Sequence, residues 1–426
     1  MSAKSLKAGV ATVNITPPVG CYLQGYTRGK PSVGIHDDLY AKAIVFDDLE
    51  TKAAIVTTDL IGFEYTSIMT IREYIEQTTD IPGKNVMVAA SHTHAGPGVM
   101  NLGGDPTDES YVRELEKKIA GVVRMAASEL QPVTIGVGIG EMDFNINRRL
   151  TTAPGVTPML PNPDGVVDRR VKVMRVDADA DTPLAVLMQY VCHATVFGGT
   201  NLHISGDYPG RTQRFVEHAY NSGTAALFLQ GCCGNVRPHL VTEEGQFRAG
   251  SPAELDRIGR RLGAEVVKVC DSIKTQAASS IAVASKLFGI PYDELPTEVA
   301  LRESIKAERD VEWAKMMLKR LEAGELKPEV EIEIQVMKLN GSWFVTLPGE
   351  PFLEIGLQIE EKLEKNVFVV GYANGNVGYL CTAASYPEGG YEPVGSYKGY
   401  FQPAQFRPDT EQLLVNTAHE IAQQLR

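Results

Sequence analysis

Residues 86–98 read VMVAASHTHAGPG, an apolar run that ends in two histidines and a glycine-proline turn. A short apolar run bounded by a turn predicts a buried strand that ends at the edge of a sheet. Because side chains alternate along a strand, His92 and His94 should leave the backbone on the same side. Gly96 and Gly98 lack a Cβ atom, so a ligand can approach the backbone closely there. We therefore predict Gly96 to line a substrate site.

The residues themselves leave two interpretations of this histidine pair open. Buried polar groups are usually satisfied by hydrogen bonds, so His92 and His94 could form a structural pair. The flanking glycines favour the second interpretation, a metal or catalytic centre, because they leave room for a ligand. The second interpretation is our working hypothesis.

Composition limits the class of partner. The chain has 426 residues, 43% hydrophobic and 22% charged, which is typical of a globular protein with a large core. Its net charge of −12 argues against binding to nucleic acid or an anionic membrane, since both need clustered lysine and arginine. We predict a small-molecule substrate, no stable membrane association and no nucleic-acid partner, and leave the oligomeric state open.

The amino terminus and the cysteines bear on the compartment. The first eight residues, MSAKSLKA, are too poor in apolar residues for a signal peptide, and no run of about 18 apolar residues follows. The six cysteines fit neither a disulfide framework nor a CxxC zinc module. We expect reduced thiols and a cytoplasmic protein.

The order of the segments predicts an α/β fold of mixed sheets with flanking helices. Two strands, a helix and the strand of the two histidines follow one another in a βαβ-like rhythm over residues 39–90. Residues 8–30 contain Pro17-Pro18 and are expected to be irregular. Further strands are predicted at 134–140, 183–191, 225–229, 343–347 and 367–371. Helices are predicted after Asp108, after Ser251, over 298–323 and after Asp409.

Five motifs occur in an order that resembles the neutral/alkaline ceramidase family. They are SHTHAGPG at 91–98, Asn147-Arg148, CHAT at 192–195, LPGE at 347–350 and the tyrosines from Tyr386 to Tyr397. The resemblance spans nearly the whole chain and implies a single catalytic domain over 1–426, with a helical segment at about 297–324. It also implies a compact relative without the carboxy-terminal immunoglobulin-like domain.

What the resemblance implies about the site is specific. Members are zinc amidases that hydrolyse the N-acyl bond of ceramide, and the metal ligands correspond to His92, His193, Glu350 and Tyr386. His94, Arg148 and Tyr397 correspond to residues around the scissile amide.

The chemistry of these side chains agrees with that set. Zinc takes imidazole nitrogen and carboxylate oxygen and keeps an open position in catalytic sites, where it activates water at neutral pH. His94, Arg148 and Tyr397 offer donors for the charge that develops on the amide oxygen. The acid that protonates the leaving amine is not assigned.

One turn departs from the family pattern. The family has Gly-Asp-Val-Ser-Pro where this chain has GNVRP at 234–238, so Arg237 replaces a serine that is important for activity. The interval from Tyr386 to Tyr397 is also one residue shorter than in the family. We predict that Arg237 and Asn235 bind substrate. A buried guanidinium needs an anion, which is either a protein carboxylate such as Asp207 or Glu350, or an acidic group of the substrate.

Three functions therefore follow as hypotheses. The first is zinc-dependent hydrolysis of an amide bond in a small polar or acidic substrate. The second is a metal-dependent hydrolase or lyase acting on a carbohydrate or other non-amide substrate, and the third is a non-catalytic binding protein. We favour the first, with a soluble metabolite rather than ceramide as substrate.

Overall fold

The computed structural model describes residues 6–103, 106–178, 182–221 and 223–425. Within them the strands, in chain order, are β1 (Lys7–Asn14), β2 (Gly34–Ile35), β3 (Tyr40–Asp47), β4 (Lys52–Thr58), β5 (Val86–Ala90), β6 (Gln131–Pro132), β7 (Thr134–Glu141), β8 (Asn145–Arg149), β9 (Met159–Asn162), β10 (Arg170–Asp177), β11 (Pro183–Tyr190), β12 (His203–Ile204), β13 (Ala225–Gln230), β14 (Val236–Pro238), β15 (Gln276–Ala277), β16 (Ile281–Pro291), β17 (Glu329–Leu339), β18 (Ser342–Thr346), β19 (Glu350–Pro351), β20 (Val367–Val370) and β21 (Tyr379–Leu380). The helices are α1 (Tyr65–Thr78), α2 (Glu109–Ser128), α3 (Asp207–Ala219), α4 (Pro252–Ser272), α5 (Glu298–Lys306), α6 (Val311–Glu322), α7 (Leu353–Leu363), α8 (Ser385–Glu388), α9 (Tyr391–Val394) and α10 (Thr410–Gln423). Short 3-10 helices cover Gly83–Asn85 and Ser396–Lys398.

Three large mixed sheets form the frame. The first has the strand order β5-β4-β3-β1-β6, the second β13-β11-β10-β7-β15 and the third β16-β17-β18-β20. Each contains one parallel pair, namely β4 with β5, β11 with β13 and β18 with β20, and its other pairs are antiparallel. These mixed sheets with their helices confirm the predicted fold class.

The core lies between the sheets and beneath the helices. Along β3, Ile44 and Phe46 point to a cluster shared by all three sheets, whereas Ala43 and Val45 point to the cluster under α1 and α2. This alternation is what a strand buried on both faces requires. The second sheet packs on α3 and α4, and the third on α7 and α10. None of the helices in the described residues is both long and apolar enough to cross a membrane.

Two helix starts follow the predicted capping chemistry. The Asp108 carboxylate accepts hydrogen bonds from the backbone N–H groups of Ser110 and Tyr111 at the start of α2. Ser251 and Glu254 form a reciprocal capping box at the start of α4. These side chains satisfy backbone donors that a helix start otherwise leaves unpaired.

One sequence expectation was wrong, and a second, for a surface helix or helical pair at 298–323, is a pair in the structure. Residues 8–30 are not irregular throughout, because β1 occupies Lys7–Asn14 and pairs with β3 and β6 in the first sheet. Gly9 belongs there because a Cβ atom at this position would lie 2.1 Å from the carbonyl oxygen of Ala126 in α2. The predicted helical segment at 298–323 is two helices, α5 and α6, separated at Asp310, whose φ is +47°. They are inserted between β16 and β17, a long antiparallel pair that the sequence pattern did not indicate.

The parallel pairs determine where the functional side chains gather. The carboxyl ends of β5, β11, β13, β18 and β20 lead into the segments that carry His92, His193, Asn235, Glu350 and Tyr372. In α/β folds, ligands bind at the carboxyl ends of parallel strands. Three sheets thus deliver polar residues to one place.

Candidate metal centre

His92, His193 and Glu350 meet at this junction of the three sheets. Glu350 Oε2 lies 3.0 Å from His193 Nε2 and 3.2 Å from His92 Nε2. All three side chains are at most 2% exposed. His94 joins them, with its Nε2 atom 3.1 Å from His92 Nε2. The three histidines form a group whose ligand atoms lie within 4.8 Å of one another.

The path to this meeting differs from the predicted one. Strand β5 ends at Ala90, and His92 has a φ of +62°, so the two histidines are brought together by a turn and not by strand alternation. The left-handed backbone at a non-glycine residue is uncommon, and tertiary contacts must hold it. The ring of His92 is stacked on Tyr372 with their centroids 4.0 Å apart.

Two of the imidazoles are fixed from behind. His92 Nδ1 lies 2.7 Å from the carbonyl oxygen of Ile61, and His193 Nδ1 lies 2.6 Å from that of Cys233. A proton on Nδ1 that is donated to a carbonyl leaves the lone pair on Nε2 directed into the centre. This is how metal-ligating histidines are oriented in proteins.

Glu350 is held by two tyrosines. Tyr372 donates a hydrogen bond to Glu350 Oε2, at 3.3 Å, and Tyr400 donates one to Glu350 Oε1. Burial raises the pKa of the Glu350 carboxyl, but the facing imidazoles of His92 and His193 hold its pKa well below the usual value. The carboxylate is therefore ionised and oriented.

The donor set fits zinc. Burial lowers the pKa of His193 to about 4, and the charge of Arg148 adds to the shift, so this imidazole is neutral at neutral pH. Two imidazole nitrogens and a carboxylate oxygen are a donor set that catalytic zinc sites use. His92, His193 and Glu350 are the residues that would hold the ion. Their roles as ligands stay predictions.

His94 differs from the other two histidines in its surroundings. Its Nδ1 atom is buried and has no hydrogen-bond partner among the described residues. Tyr26 packs edge-on against its ring at 5.0 Å, and a Cβ atom on Gly25 would lie 2.5 Å from the ring. Burial, with the charges of His92 and His193, lowers the pKa of His94 well below its usual value. With no acceptor near Nδ1, the proton of this neutral ring belongs on Nε2, which makes His94 a donor toward the centre.

Arg148 lies beside the candidate centre, where its side chain is hydrogen bonded to Glu392 and Tyr379. Its Nε atom donates to Glu392 Oε1 at 2.9 Å and its Nη2 atom donates to the Tyr379 hydroxyl oxygen at 2.8 Å. Arg149 binds the other oxygen of Glu392 at 2.7 Å. Burial opposes the charge, but Tyr379 and Glu392 raise the pKa of Arg148 well above its usual value. Tyr379 is also the residue opposite Glu350 in the β19–β21 pair.

Sequence reasoning missed these partners. Tyr372, Tyr379, Glu392 and Tyr400 were not singled out, although the structure places all four around Glu350 and Arg148. Tyr372 could have been found, because it follows the apolar run 367–371 as the histidines follow theirs.

Two predicted tyrosines lie elsewhere. Tyr386 is in α8, where burial and the charges of Cys381, Asp293, Asp409 and Glu411 raise its pKa. Tyr397 packs edge-on against Trp313 of α6, with the ring centroids 5.8 Å apart. The structure thus brings neither to the centre.

Gly96 and Asn235, both predicted to bind substrate, contact other parts of the protein. A Cβ atom on Gly96 would lie 3.3 Å from a methyl carbon of Thr93, which is a close contact with the protein's own turn. Asn235 donates to Glu354 and accepts from the N–H of Leu353, so it joins the turn after β13 to the start of α7. Both residues are buried.

Arg237 has no carboxylate partner among the described residues. It lies in β14, with its guanidinium over the ring of Phe247 at 4.3 Å and Nη1 3.6 Å from the sulfur of Met159. The alternative in which it pairs with Asp207 or Glu350 is therefore wrong. Asp207 instead accepts hydrogen bonds from backbone N–H groups, including that of Tyr208.

We call His92, His193, Glu350 and Arg148 the floor of the centre, and Tyr26, His94 and Arg237 its rim.

Comparison with known proteins places the chain in a family. The family model described as neutral/alkaline non-lysosomal ceramidase, N-terminal, matches residues 6–257, which is more than half of the chain. The neutral ceramidase of Pseudomonas aeruginosa is 29% identical over 245 residues, covering 52% of this chain and 35% of that protein. The neutral ceramidase of Mycobacterium tuberculosis is 22% identical over an alignment that covers 99% of this chain and 77% of that protein.

A solved structure shows the same fold. The crystal structure of neutral ceramidase from Pseudomonas aeruginosa superposes with a TM-score of 0.75 at 19% identity, covering 99% of this chain and 75% of that one. The sequence match to the first relative, in contrast, spans about a third of that protein's length. The family match and the shared fold together establish that the chain belongs to the neutral/alkaline non-lysosomal ceramidase family.

Proposed function

We propose that the protein is a zinc-dependent hydrolase that cleaves an amide bond of a small polar or acidic substrate. The observation that carries this proposal is the meeting of His92, His193 and Glu350 with both Nδ1 atoms anchored to backbone carbonyls. Residues that served only to fill a core would not direct three acceptor atoms at one another. A cation held between these atoms would offset their mutual repulsion.

Zinc bound there supplies Lewis-acid activation of water at neutral pH. Hydrolysis then consumes one water molecule and yields a carboxylate and an amine. The chain's own residues hold the substrate and manage the charge. The floor fixes the ligand atoms, and Tyr372 and Tyr400 keep the Glu350 carboxylate in one orientation.

Two donors are available for the amide oxygen. Arg148 donates to the oxygen of Tyr379, so the hydroxyl proton of Tyr379 is free to point elsewhere. Because His94 Nδ1 has no acceptor within the described residues, we assign the proton to Nε2, which lies 3.1 Å from His92 Nε2 at the centre. Preorganised donors of this kind stabilise the negative charge that develops when an amide carbonyl is attacked.

The substrate is proposed from the rim. The relatives are named neutral ceramidases, so the N-acyl bond is the expected target. A polar rim with a positive guanidinium favours a small polar or acidic N-acyl compound over a neutral lipid. We also propose a reducing compartment such as the cytoplasm, because all six cysteines, each within the described residues, are free thiols.

The experiment that tests this function combines metal analysis with a substrate screen. Purified protein is analysed for metals and then assayed for amine release from N-acyl amines, N-acyl amino acids and long-chain ceramide in detergent. We expect one zinc ion per chain, with activity removed by a chelator and restored by zinc. Protein that holds no stoichiometric metal and cleaves no N-acyl compound would refute the proposal. Preference for ceramide over every soluble amide would refute the small-substrate part alone.

A further inference from the structure

Arg237 lies in a strand that contacts the floor of the candidate centre. It is opposite Ile146 in the antiparallel pair of β14 with β8. The residue before it, Val236, accepts a hydrogen bond from the backbone N–H of His193 at 3.1 Å, and the same carbonyl oxygen lies 3.2 Å from His193 Nδ1. After burial, the charges of Tyr26 and Arg148 are the next causes that act on the pKa of Arg237. The strand that carries the guanidinium therefore adjoins the candidate centre.

The two arginines differ in their partners. Arg148 is neutralised by Glu392 and hydrogen bonded to Tyr379. Arg237 contacts a ring and a thioether, and its buried Nε atom has no hydrogen-bond partner within the described residues. Burial lowers the pKa of Arg237, but an arginine stays protonated in proteins. A fixed positive charge is left without an anion.

Phe247 and Met159 explain how the guanidinium is positioned. A ring under its face and a sulfur at one Nη atom restrict its plane while leaving the Nε edge without a partner. The edge formed by Nε and an Nη atom matches the two oxygens of a carboxylate. Because the plane is already restricted, little conformational freedom is lost when such a group binds.

We propose that Arg237 binds a carboxylate of the substrate, so the substrates are N-acyl compounds that carry a carboxylate near the amide, such as N-acylated amino acids. This inference rests on the proposed amide hydrolysis and names its substrate class. A neutral lipid amide would leave the guanidinium unpaired when it closed the site to water, which disfavours its binding.

The test uses three substrates with one acyl chain: N-hexanoylglycine, N-hexanoyl-2-aminoethanol and N-hexanoyl-2-aminoethyl phosphate. Wild-type protein is expected to prefer the carboxylate over the neutral alcohol. Arg237→Gln should lower the carboxylate-to-neutral ratio of kcat/KM at least about tenfold, mainly through KM, with zinc content maintained. Arg260→Gln, at an exposed position in α4, is the matched control and should leave the ratio unchanged. A ratio that does not change in Arg237→Gln overturns the inference, and a preference for the phosphate overturns the choice of carboxylate.

A binding measurement separates this inference from the proposed function. N-hexanoylglycine is titrated by calorimetry into metal-free wild-type protein and metal-free Arg237→Gln. Weaker binding to the variant, without hydrolysis by the zinc-loaded wild type, would support the anion site and refute the hydrolase. Hydrolysis of the amides with no Arg237-dependent binding would support the hydrolase and refute the anion site.

Discussion

The floor and the rim of the candidate centre each contain histidine and arginine, but they treat these residues differently. On the floor, His92 and His193 have their Nδ1 atoms at carbonyl oxygens, and Arg148 has Glu392. On the rim, His94 Nδ1 and Arg237 Nε have no hydrogen-bond partner within the described residues. Histidine and arginine thus occur with hydrogen-bonded nitrogen atoms on the floor and with an unpartnered nitrogen atom on the rim.

On the floor, polar atoms find their partners through folding, whereas on the rim a ligand would have to supply the missing partners. A buried polar group without a partner costs about 1–3 kcal/mol, so an unpartnered atom is retained only where something else compensates. Under the proposed function, a bound cation would complete the floor and a bound substrate would complete the rim.

The largest expected effect comes from comparing two histidines. His193→Ala removes an anchored ligand, so we expect loss of zinc and of all measurable activity with the fold retained. His94→Ala removes a donor and should keep zinc while lowering kcat by about 10²–10⁴-fold. Metal analysis, circular dichroism and kinetics on both variants measure this, with His218→Ala at an exposed position in α3 as control. Full zinc occupancy in His193→Ala, or zinc loss in His94→Ala, would contradict the division into floor and rim.

The two arginines give the next effect, on stability. Arg148→Ala leaves the buried Glu392 with only part of its network, and breaking a buried ion pair costs about 3–5 kcal/mol. Arg237→Ala removes a cation that has no anion and should cost less than about 1 kcal/mol. Urea unfolding of both variants measures the difference in the free energy of unfolding. Equal destabilisation would show that Arg237 has a structural partner after all.

The free energy of unfolding is expected to depend on pH through Asp207. Asp207 supports the segment after His193 by accepting hydrogen bonds from the N–H groups of Val196 and Phe197, and burial raises its pKa to about 6. Its folded pKa exceeds the unfolded value of about 3.9, so the folded state binds more protons between these values. Stability from this group is present below about pH 4 and falls by about 3 kcal/mol as the pH rises through 6.

Asp207→Asn tests this slope, because asparagine does not titrate. In metal-free protein, the variant should gain about 2 kcal/mol relative to wild type between pH 4 and pH 7, measured by urea unfolding. Asp143→Asn, at an exposed position, should show no such change. If the free energy of unfolding changed equally with pH in wild type and Asp207→Asn, the raised pKa of Asp207 would be ruled out.

Much of this fold and part of the floor could be predicted from the sequence. His92, His193 and Glu350 each follow an apolar run that ends in a turn, and this pattern is local. Strand β1 and the β16–β17 pair were missed because their exposed positions interrupt the apolar pattern. A long insertion also separates β16 from β17, so their pairing has no local signal.

The tyrosines show where local pattern stops being informative. Five tyrosines lie between residues 379 and 400, and their neighbours in sequence look alike. What distinguishes Tyr379 is that β21, only two residues long, pairs in parallel with β19 and places it opposite Glu350. No periodicity predicts so short a pairing between segments this far apart. Tyr400 reaches Glu350 through a loop whose course also depends on the tertiary fold.

The smallest expected effect compares the tyrosine that contacts the floor with the one that the family order had suggested. Tyr400→Phe removes the hydrogen bond to Glu350 Oε1 but keeps the ring, which is 8% exposed and packs edge-on against Tyr379. Loss of one such supporting partner typically weakens metal binding about 10–100-fold. Tyr386→Phe should leave zinc affinity unchanged, because Tyr386 lies in α8 and has no hydrogen bond to Glu350 among the described residues, unlike Tyr372 and Tyr400. Competition with a chelator measures both affinities, and thermal unfolding checks that both variants fold. A hydroxyl that does not reach Glu350 cannot orient its carboxylate. Zinc affinity that falls in Tyr386→Phe but is unchanged in Tyr400→Phe would therefore favour Tyr386 as the metal ligand, as the sequence predicts, over the supporting role of Tyr400.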